Sequence, residues 1–267
     1  MTELSASRIG VFYSIYSRYF FRSWRFYGML LVTIALVGGM SILYFTGGMK
    51  FPSSSSEFLE ILTGNVNLDI VVIAVFFGGD AFSQDFYSGT GLMVLTQPVS
   101  RPLIFSGRFL SSVTFGAIIV GVYYIGAAAA SIAHYGNAPF ALLASYGLAF
   151  LFLLSCLSFA FFFSALFKSI SVSIIATFML LFIGFLAIVQ VMASMSLEPW
   201  FILTYAGNSI SGVLLNPYPA HYTTYVINGS LTKAYFPTLL ESIVIMVVYL
   251  AITIILSLVA YVSRELK

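Results

Sequence analysis

Apolar residues run almost unbroken in six places along the chain, at 27–45, 66–82, 109–133, 140–167, 170–197 and 239–262. Each run is near the roughly 20 residues that a helix needs to cross a hydrocarbon core about 30 Å thick. The first is too long for a signal-peptide core, no small-residue cleavage pattern follows it and the chain stays apolar, so it is expected as a retained helix. The second carries Asp69 near its start and Gly78-Gly79-Asp80 near its end. His134-Tyr135-Gly136-Asn137-Ala138-Pro139 marks a tight turn between the third and fourth, and Lys168 divides the fourth from the fifth. Glu198-Pro199-Trp200 ends the fifth, and Pro237 precedes the sixth. The pattern predicts an all-α polytopic membrane protein: one transmembrane domain over residues 1–267, built as a six-helix bundle.

Two connecting segments have a pattern of their own. Within residues 1–26, Arg18, Arg22 and Arg25 fall at i, i+4 and i+7 with Arg8 near the same arc, while Ile9, Phe12, Tyr16, Phe20 and Tyr27 cluster opposite. This predicts a cytoplasmic amphipathic helix lying in the membrane interface, as an anchor or as a lever beside moving spans. In residues 198–238, Pro199, Pro217, Pro219 and Gly229 punctuate apolar pieces such as 210–215, which predicts short re-entrant or interfacial helices in an outer loop. Asn228-Gly229-Ser230 within it is a glycosylation acceptor pattern.

Composition excludes a water-soluble globule. Of 267 residues, 60% are hydrophobic and 7% charged, against about 45–50% and about 25% in soluble domains. Mean hydropathy is +1.03. The net charge of +2 carries less information than its distribution. With both termini cytoplasmic, Arg8, Arg18, Arg22, Arg25, Arg101, Arg108, Lys168, Arg264 and Lys267 lie inside, and only Lys50 and Lys233 lie outside. That imbalance fits the positive-inside rule for a multi-pass plasma-membrane protein. A seventh span over 208–226 would move Arg264 and Lys267 outside and forfeit the agreement. Cys156 is the sole cysteine, so no intrachain disulfide or cysteine metal cluster is available. Nothing in the charge pattern points to nucleic acid.

The chemistry-bearing residues are few. His134 and His221 are the only histidines; both fall in expected outer loops and are read as loop or interface residues rather than as ligands or bases. No H-E-x-x-H metal pattern or G-x-S-x-G elbow occurs, so neither a metal site nor an enzyme active site is expected in this chain. Asp69, Asp80, Lys168 and Glu241 lie at expected span ends, where solvated or interfacial charge explains them, so an ion pathway has little support. Gln190 is the most polar group well inside the fifth run, a weak candidate for the substrate pathway beside its simpler reading as an interhelical hydrogen-bonding group. No G-x-x-x-x-G-K-[ST] is present to cradle a nucleotide triphosphate. If the chain belongs to a pump, another subunit binds the ATP.

The most patterned segment is the loop at 83–108. It runs Asp85-Phe86-Tyr87-Ser88-Gly89-Thr90-Gly91-Leu92, then Leu95, Pro98-Val99-Ser100-Arg101, Ile104 and Gly107-Arg108. Gly89 and Gly91 permit a bend or a close backbone approach, and Pro102 suits the first turn of the third helix. In order and spacing this resembles the first cytoplasmic loop of ABC-2 type permeases: an acid, three residues, Gly-Thr, a leucine-rich turn, Pro-aliphatic-Ser-Arg, then an aliphatic residue before Gly-Lys or Gly-Arg. The acid here is Asp where Glu is usual, and Phe86-Tyr87 stand where charged residues are commoner. The six-span layout, the basic first helix and the long last outer loop extend the resemblance over most of the chain.

The resemblance implies the permease subunit of an ATP-binding cassette exporter, with no ATP site of its own. ATP and Mg would be held by two copies of a separate ATPase. A second permease copy or homologue and membrane lipid would complete the assembly. Residues 83–108 would form a coupling loop, with Asp85, Tyr87, Gly89 and Thr90 at the docking surface and Arg101 and Arg108 fixing the loop against the membrane. Apolar and aromatic walls favour a hydrophobic or amphipathic cargo such as a lipid, peptide or drug-like compound. The alternatives are an ATPase-linked assembly or regulatory factor that transports nothing itself, and an ion-coupled carrier.

Overall fold

The structure is a computed structural model that describes residues 2–83, 100–227 and 230–263. Among the described residues, six helices are long and apolar enough to cross a membrane: Trp24–Phe45, Ser55–Gly78, Arg101–Tyr135, Ala141–Leu166, Ile170–Ser194 and Leu239–Ser263. The protein is an all-α polytopic membrane protein.

Helix α1 (Thr2–Arg22) precedes the first span and stops where Ser23 becomes the N-cap of α2 (Trp24–Phe45), its hydroxyl accepting from the Arg25 amide. An N-cap serine satisfies one of the amides that every helix start leaves unpaired, so the chain can change direction here cheaply. α1 packs along the first turns of α5 (Arg101–Tyr135) rather than resting on lipid alone. The contact is close because a Cβ at Gly107 would stand 2.6 Å from the Phe12 Cβ, a distance only glycine avoids. Ser17 and Ser111 share a hydrogen bond of 3.1 Å, and Phe20 packs edge-on against Phe77. The other flank of α1, including Val11 and Ile15, stays exposed. An interfacial position therefore accounts for one side of this helix, and docking accounts for the other.

The second span begins earlier than its apolar run suggests. α3 (Ser55–Thr63) and α4 (Val66–Gly78) follow one another into a single span, Ser55–Gly78. Ser54 caps its start by accepting from the Glu57 amide. Glu57 and Glu60 break the hydrophobic pattern of that first half and hide it from a search for apolar runs. One consequence is a correction: Asp69 is not at a span end but well inside, 3% exposed, with both carboxylate oxygens 2.9–3.1 Å from the Thr33 hydroxyl.

α6 (Ala141–Leu166) occupies the centre of the bundle, packed by α4, α5 and the last helix, α11 (Leu239–Ser263). Small residues and hydroxyls make this contact, as expected where lipid supplies no hydrophobic contrast between helices. Ser158 and Thr253 hydrogen-bond at 2.6 Å, Ser155 donates to the Met246 carbonyl at 2.8 Å, and a Cβ at Gly78 would lie 2.7 Å from that of Ala160. The fifth span is less embedded. It runs from α7 (Ile170–Phe178) through a π-helical turn, Met179–Gly184, into α8 (Phe185–Ser194), with Ile175, Ile183 and Val191 exposed.

The connection to the last span differs from the expected set of short helices. Two are present, α9 (Leu203–Gly207) and α10 (Ser209–Gly212), but they are followed by an antiparallel hairpin of β1 (Tyr222–Ile227) and β2 (Ser230–Tyr235), in which Tyr222 pairs with Tyr235 and Ile227 with Ser230. The β-branched run Thr223-Thr224 with Val226-Ile227 favours strand over helix. The two ends of the bundle are thus distinct. One carries the roots of the loop at 84–99, and the other carries the hairpin.

Candidate functional site

Both roots of that loop are held by side chains from several helices. Where α4 ends, its last carbonyls have no partner within the helix, and neighbours supply them. Ser112 of α5 donates to the Phe77 carbonyl at 3.0 Å, Ser173 of α7 to Gly79 at 2.5 Å, and the Arg108 guanidinium to Ala81. Just beyond, the Phe82 and Ser83 amides donate to the hydroxyl of Ser164 in α6, at 2.7 and 3.1 Å. Asp80, 6% exposed, makes an ion pair with Arg25 of α2. Arg108 also lies over the Tyr16 ring of α1, 4.6 Å from its centroid. Segment 79–83 is therefore gripped by α2, α5, α6 and α7 together, with α1 behind Arg108.

The second root is tied to the end of the chain's last span. Arg101, at the start of α5, donates to the Val262 carbonyl at 2.7 Å, in the final turn of α11. Between the two roots sits an aromatic cluster: Phe82 stacks on Tyr261 at 4.2 Å and on Phe105 at 5.4 Å, and meets Phe161 edge-on at 5.4 Å. A displacement of the loop must move these rings, and with them α5, α6 and α11.

Of the coupling residues expected from sequence, Arg101 and Arg108 are thus at the roots, bonded to backbone rather than only facing the membrane. Asp85, Tyr87, Gly89 and Thr90 lie outside the described residues, as does Asn228. Gln190 is exposed on α8. It lines neither the cavity of about 150 Å³ bordered by Asn67, Phe182 and Thr204 nor the groove of about 520 Å³ between α2 and α5. The groove is bordered by Ile34, Val37, Phe45, Ile125 and Ala129. Asp80, expected as a solvated span-end charge, is buried and paired instead, because α2 brings Arg25 alongside it. The pairings of Ser112, Ser164 and Ser173 have no signature in sequence; hydroxyls facing a helix end are visible only once the helices are packed.

These features agree with what the chain is similar to. Residues 17–266, nearly its whole length, match the ABC-2 family transporter proteins. The chain belongs to that family. No curated protein matches it. As an ABC-2 chain it is the transmembrane component of an ABC transporter and not the ATP-binding subunit. In the ABC-2 chain, the knot of bonds just described sits on either side of residues 84–99.

The hairpin end of this ABC-2 chain holds a second polar cluster. His221 precedes β1, and its amide partner is already set: Phe236 donates to the His221 carbonyl at 2.8 Å while His221 Nδ1 lies 3.0 Å from the Phe236 carbonyl. His221 Nε2 is 3.3 Å from Glu198 Oε1. Glu241 starts α11 in a capping box, its amide donating to the Thr238 hydroxyl at 3.3 Å and its Oε2 accepting from the Thr238 amide at 3.2 Å. Ligand atoms of Glu198, His221 and Glu241 all lie within 4.8 Å of one another. Burial, then the charges of Glu241 and Glu198, push the Tyr205 phenol well above its ordinary pKa. Burial, then Glu241, push that of Tyr218 up to about 12. Both remain hydroxyls at neutral pH.

Proposed function

We propose that this chain is the permease subunit of an ATP-driven exporter, with residues 83–108 docking on a separate ATPase. The observation that carries the reading is the grip on segment 79–83 by helices α2, α5, α6 and α7. Any helix end needs partners for its last carbonyls, but a loop meant only to connect two spans does not also need the ion pair of Asp80 with Arg25 and the stacked rings around Phe82. A loop that receives force from a moving partner needs such a joint, because a rigid root turns its displacement into tilting of the bundle.

Orientation follows from charge: the loop end, with Arg18, Arg22, Arg25, Arg101, Arg108 and Lys168, is cytoplasmic and the hairpin faces outward across the plasma membrane. The exposed apolar faces of α2, α8 and α11 meet lipid and a second permease copy. The groove between α2 and α5 is walled almost wholly by aliphatic and aromatic side chains, which favours an apolar or amphipathic cargo. Asp85, Tyr87, Gly89 and Thr90 serve as the docking surface in this reading.

The test is purification from native membranes, followed by replacement of Gly89 and Thr90 with tryptophan. The wild type is expected to bring an ATPase subunit with it and to link hydrolysis to export. The variant is expected to insert normally but to lose that linkage. Unchanged export in the variant would remove the coupling role. Hydrolysis that ignores apolar cargo yet depends on a membrane or extracellular protein would move the assignment to a partner-activating factor.

A further inference from the structure

We propose that Glu198, His221 and Glu241 form a binding site for one divalent cation of the zinc class at the hairpin end. His221 sits between the Phe236 carbonyl and the Glu198 carboxylate. A carbonyl only accepts, so the bond to Phe236 places a ring proton on Nδ1, and Nε2, 3.3 Å from Glu198 Oε1, then holds either a second proton or, as a lone pair, a cation shared with that carboxylate. Two lone pairs directed at each other need a positive centre between them. Metal-ligating histidines characteristically donate their other nitrogen to a carbonyl or carboxylate, as His221 does.

One edge of the triad suits a small ion, and all three ligand atoms lie within 4.8 Å of one another. Bonds of about 2.0–2.2 Å in tetrahedral array set neighbouring ligand atoms roughly 3.3–3.6 Å apart, and the His221–Glu198 contact already has that length. Glu241 supplies the third donor. Its Oε2 is occupied by the capping box, but its Oε1 is buried and meets no donor among the described residues, the group beside Glu241 being the Glu198 carboxyl. Capping α11 explains one of its oxygens and leaves the other unexplained. Tyr205, 2% exposed, lies beside both carboxylates with its buried hydroxyl turned toward Glu198, close enough to the triad to hold that ligand or a water at the fourth position.

The donor set selects the class of ion. Three protein ligands with one imidazole are too few and too nitrogen-rich for Ca²⁺, which takes 6–8 oxygens, or for Mg²⁺, which keeps its waters. An imidazole with carboxylates suits Zn²⁺ and its neighbours in the first transition row. Access is open, since the His221 side chain is 37% and that of Glu198 27% exposed. A cation here would join the segment after the fifth span, the foot of the hairpin and the start of α11 at one point. The site depends on neither the direction of transport nor the identity of the ATPase.

The experiment uses the full chain, carried on a tag without histidine, stripped with chelator and titrated with Zn²⁺ by calorimetry, with metal content measured after dialysis. One equivalent is expected, with a rise in melting temperature that chelator reverses. His221→Asn keeps an amide donor for the Phe236 carbonyl but removes the Nε2 ligand, and should weaken binding roughly 10-fold or more. Glu198→Gln should do the same and stands in if the first variant does not fold. Absence of stoichiometric binding overturns the proposal. So does an equivalent of zinc that persists undiminished in these variants, which would place the ion elsewhere, for example on His134. A melting temperature that responds to pH but not to Zn²⁺ would assign the positive centre to a proton and overturn it as well.

Discussion

At the loop end, an acid meets a base and hydroxyls meet backbone: Asp80 faces Arg25, and Ser112, Ser164 and Ser173 each bond to main-chain groups of segment 77–83. At the hairpin end, acid meets acid. Glu198 and Glu241 approach the same imidazole, and the Tyr205 phenol is buried beside both. Both ends are polar clusters at the edge of an apolar bundle, but the buried acid of one meets an opposite charge within the chain, whereas the two acids of the other face each other across one imidazole.

The largest test of this contrast is Arg25→Ala. It strands the buried Asp80 carboxylate, and breaking such a pair costs about 3 kcal/mol, the low end of the range because the Arg25 side chain is 41% exposed. The melting temperature in detergent should fall by several degrees, and adding Asp80→Asn should recover most of the loss. A drop no greater than that of an ordinary surface substitution would show that the loop root is not electrostatically closed.

A smaller effect is expected for Ser164→Ala, which leaves the Phe82 and Ser83 amides without their acceptor, at about 2 kcal/mol. Stability loss here should come with weaker linkage between hydrolysis and export. Loss of stability alone would make the serine a packing residue and blunt the comparison.

The smallest effect belongs to the hairpin end. Tyr218 donates to the Pro237 carbonyl at 2.7 Å, and its pKa is raised to about 12 by burial and then by Glu241. A phenol titrates near 10 when unfolded. Between those values the folded chain holds the proton that the unfolded chain has lost, so stability present below about pH 10 declines as pH rises toward 12. Tyr218→Phe should flatten that decline when melting temperature is followed against pH. An unchanged profile would mean that the hydroxyl is not held as described.

Much of the architecture was legible because lipid imposes long apolar runs. Gly107 shows how one position of a sequence pattern acquires a physical reason: its missing Cβ is the space that Phe12 occupies. What escaped has a physical cause too. Glu57 and Glu60 masked the first half of the second span, and with it the burial of Asp69. The hairpin was hidden in a segment whose prolines suggested broken helices, although Asn228-Gly229 between Thr223-Thr224-Tyr225-Val226-Ile227 and Leu231 is a strong short-range signal for one. His221 and the two glutamates are far apart along the chain and meet only because the hairpin returns β2 beside β1. The seryl contacts around segment 79–83 depend on helix rotation, which apolar periodicity does not specify this finely.

The bond from Arg101 to Val262 has a consequence in time as well as in space. During synthesis, Arg25, Asp80, Arg108 and Ser164 emerge in turn, but the second root stays unfastened until α11 has left the ribosome and entered the bilayer. Completion of the last helix therefore adds the bond that ties the start of α5 to the final turn of α11. A chain interrupted before α11 would lack that tie, so the order of synthesis makes it one of the last contacts to form.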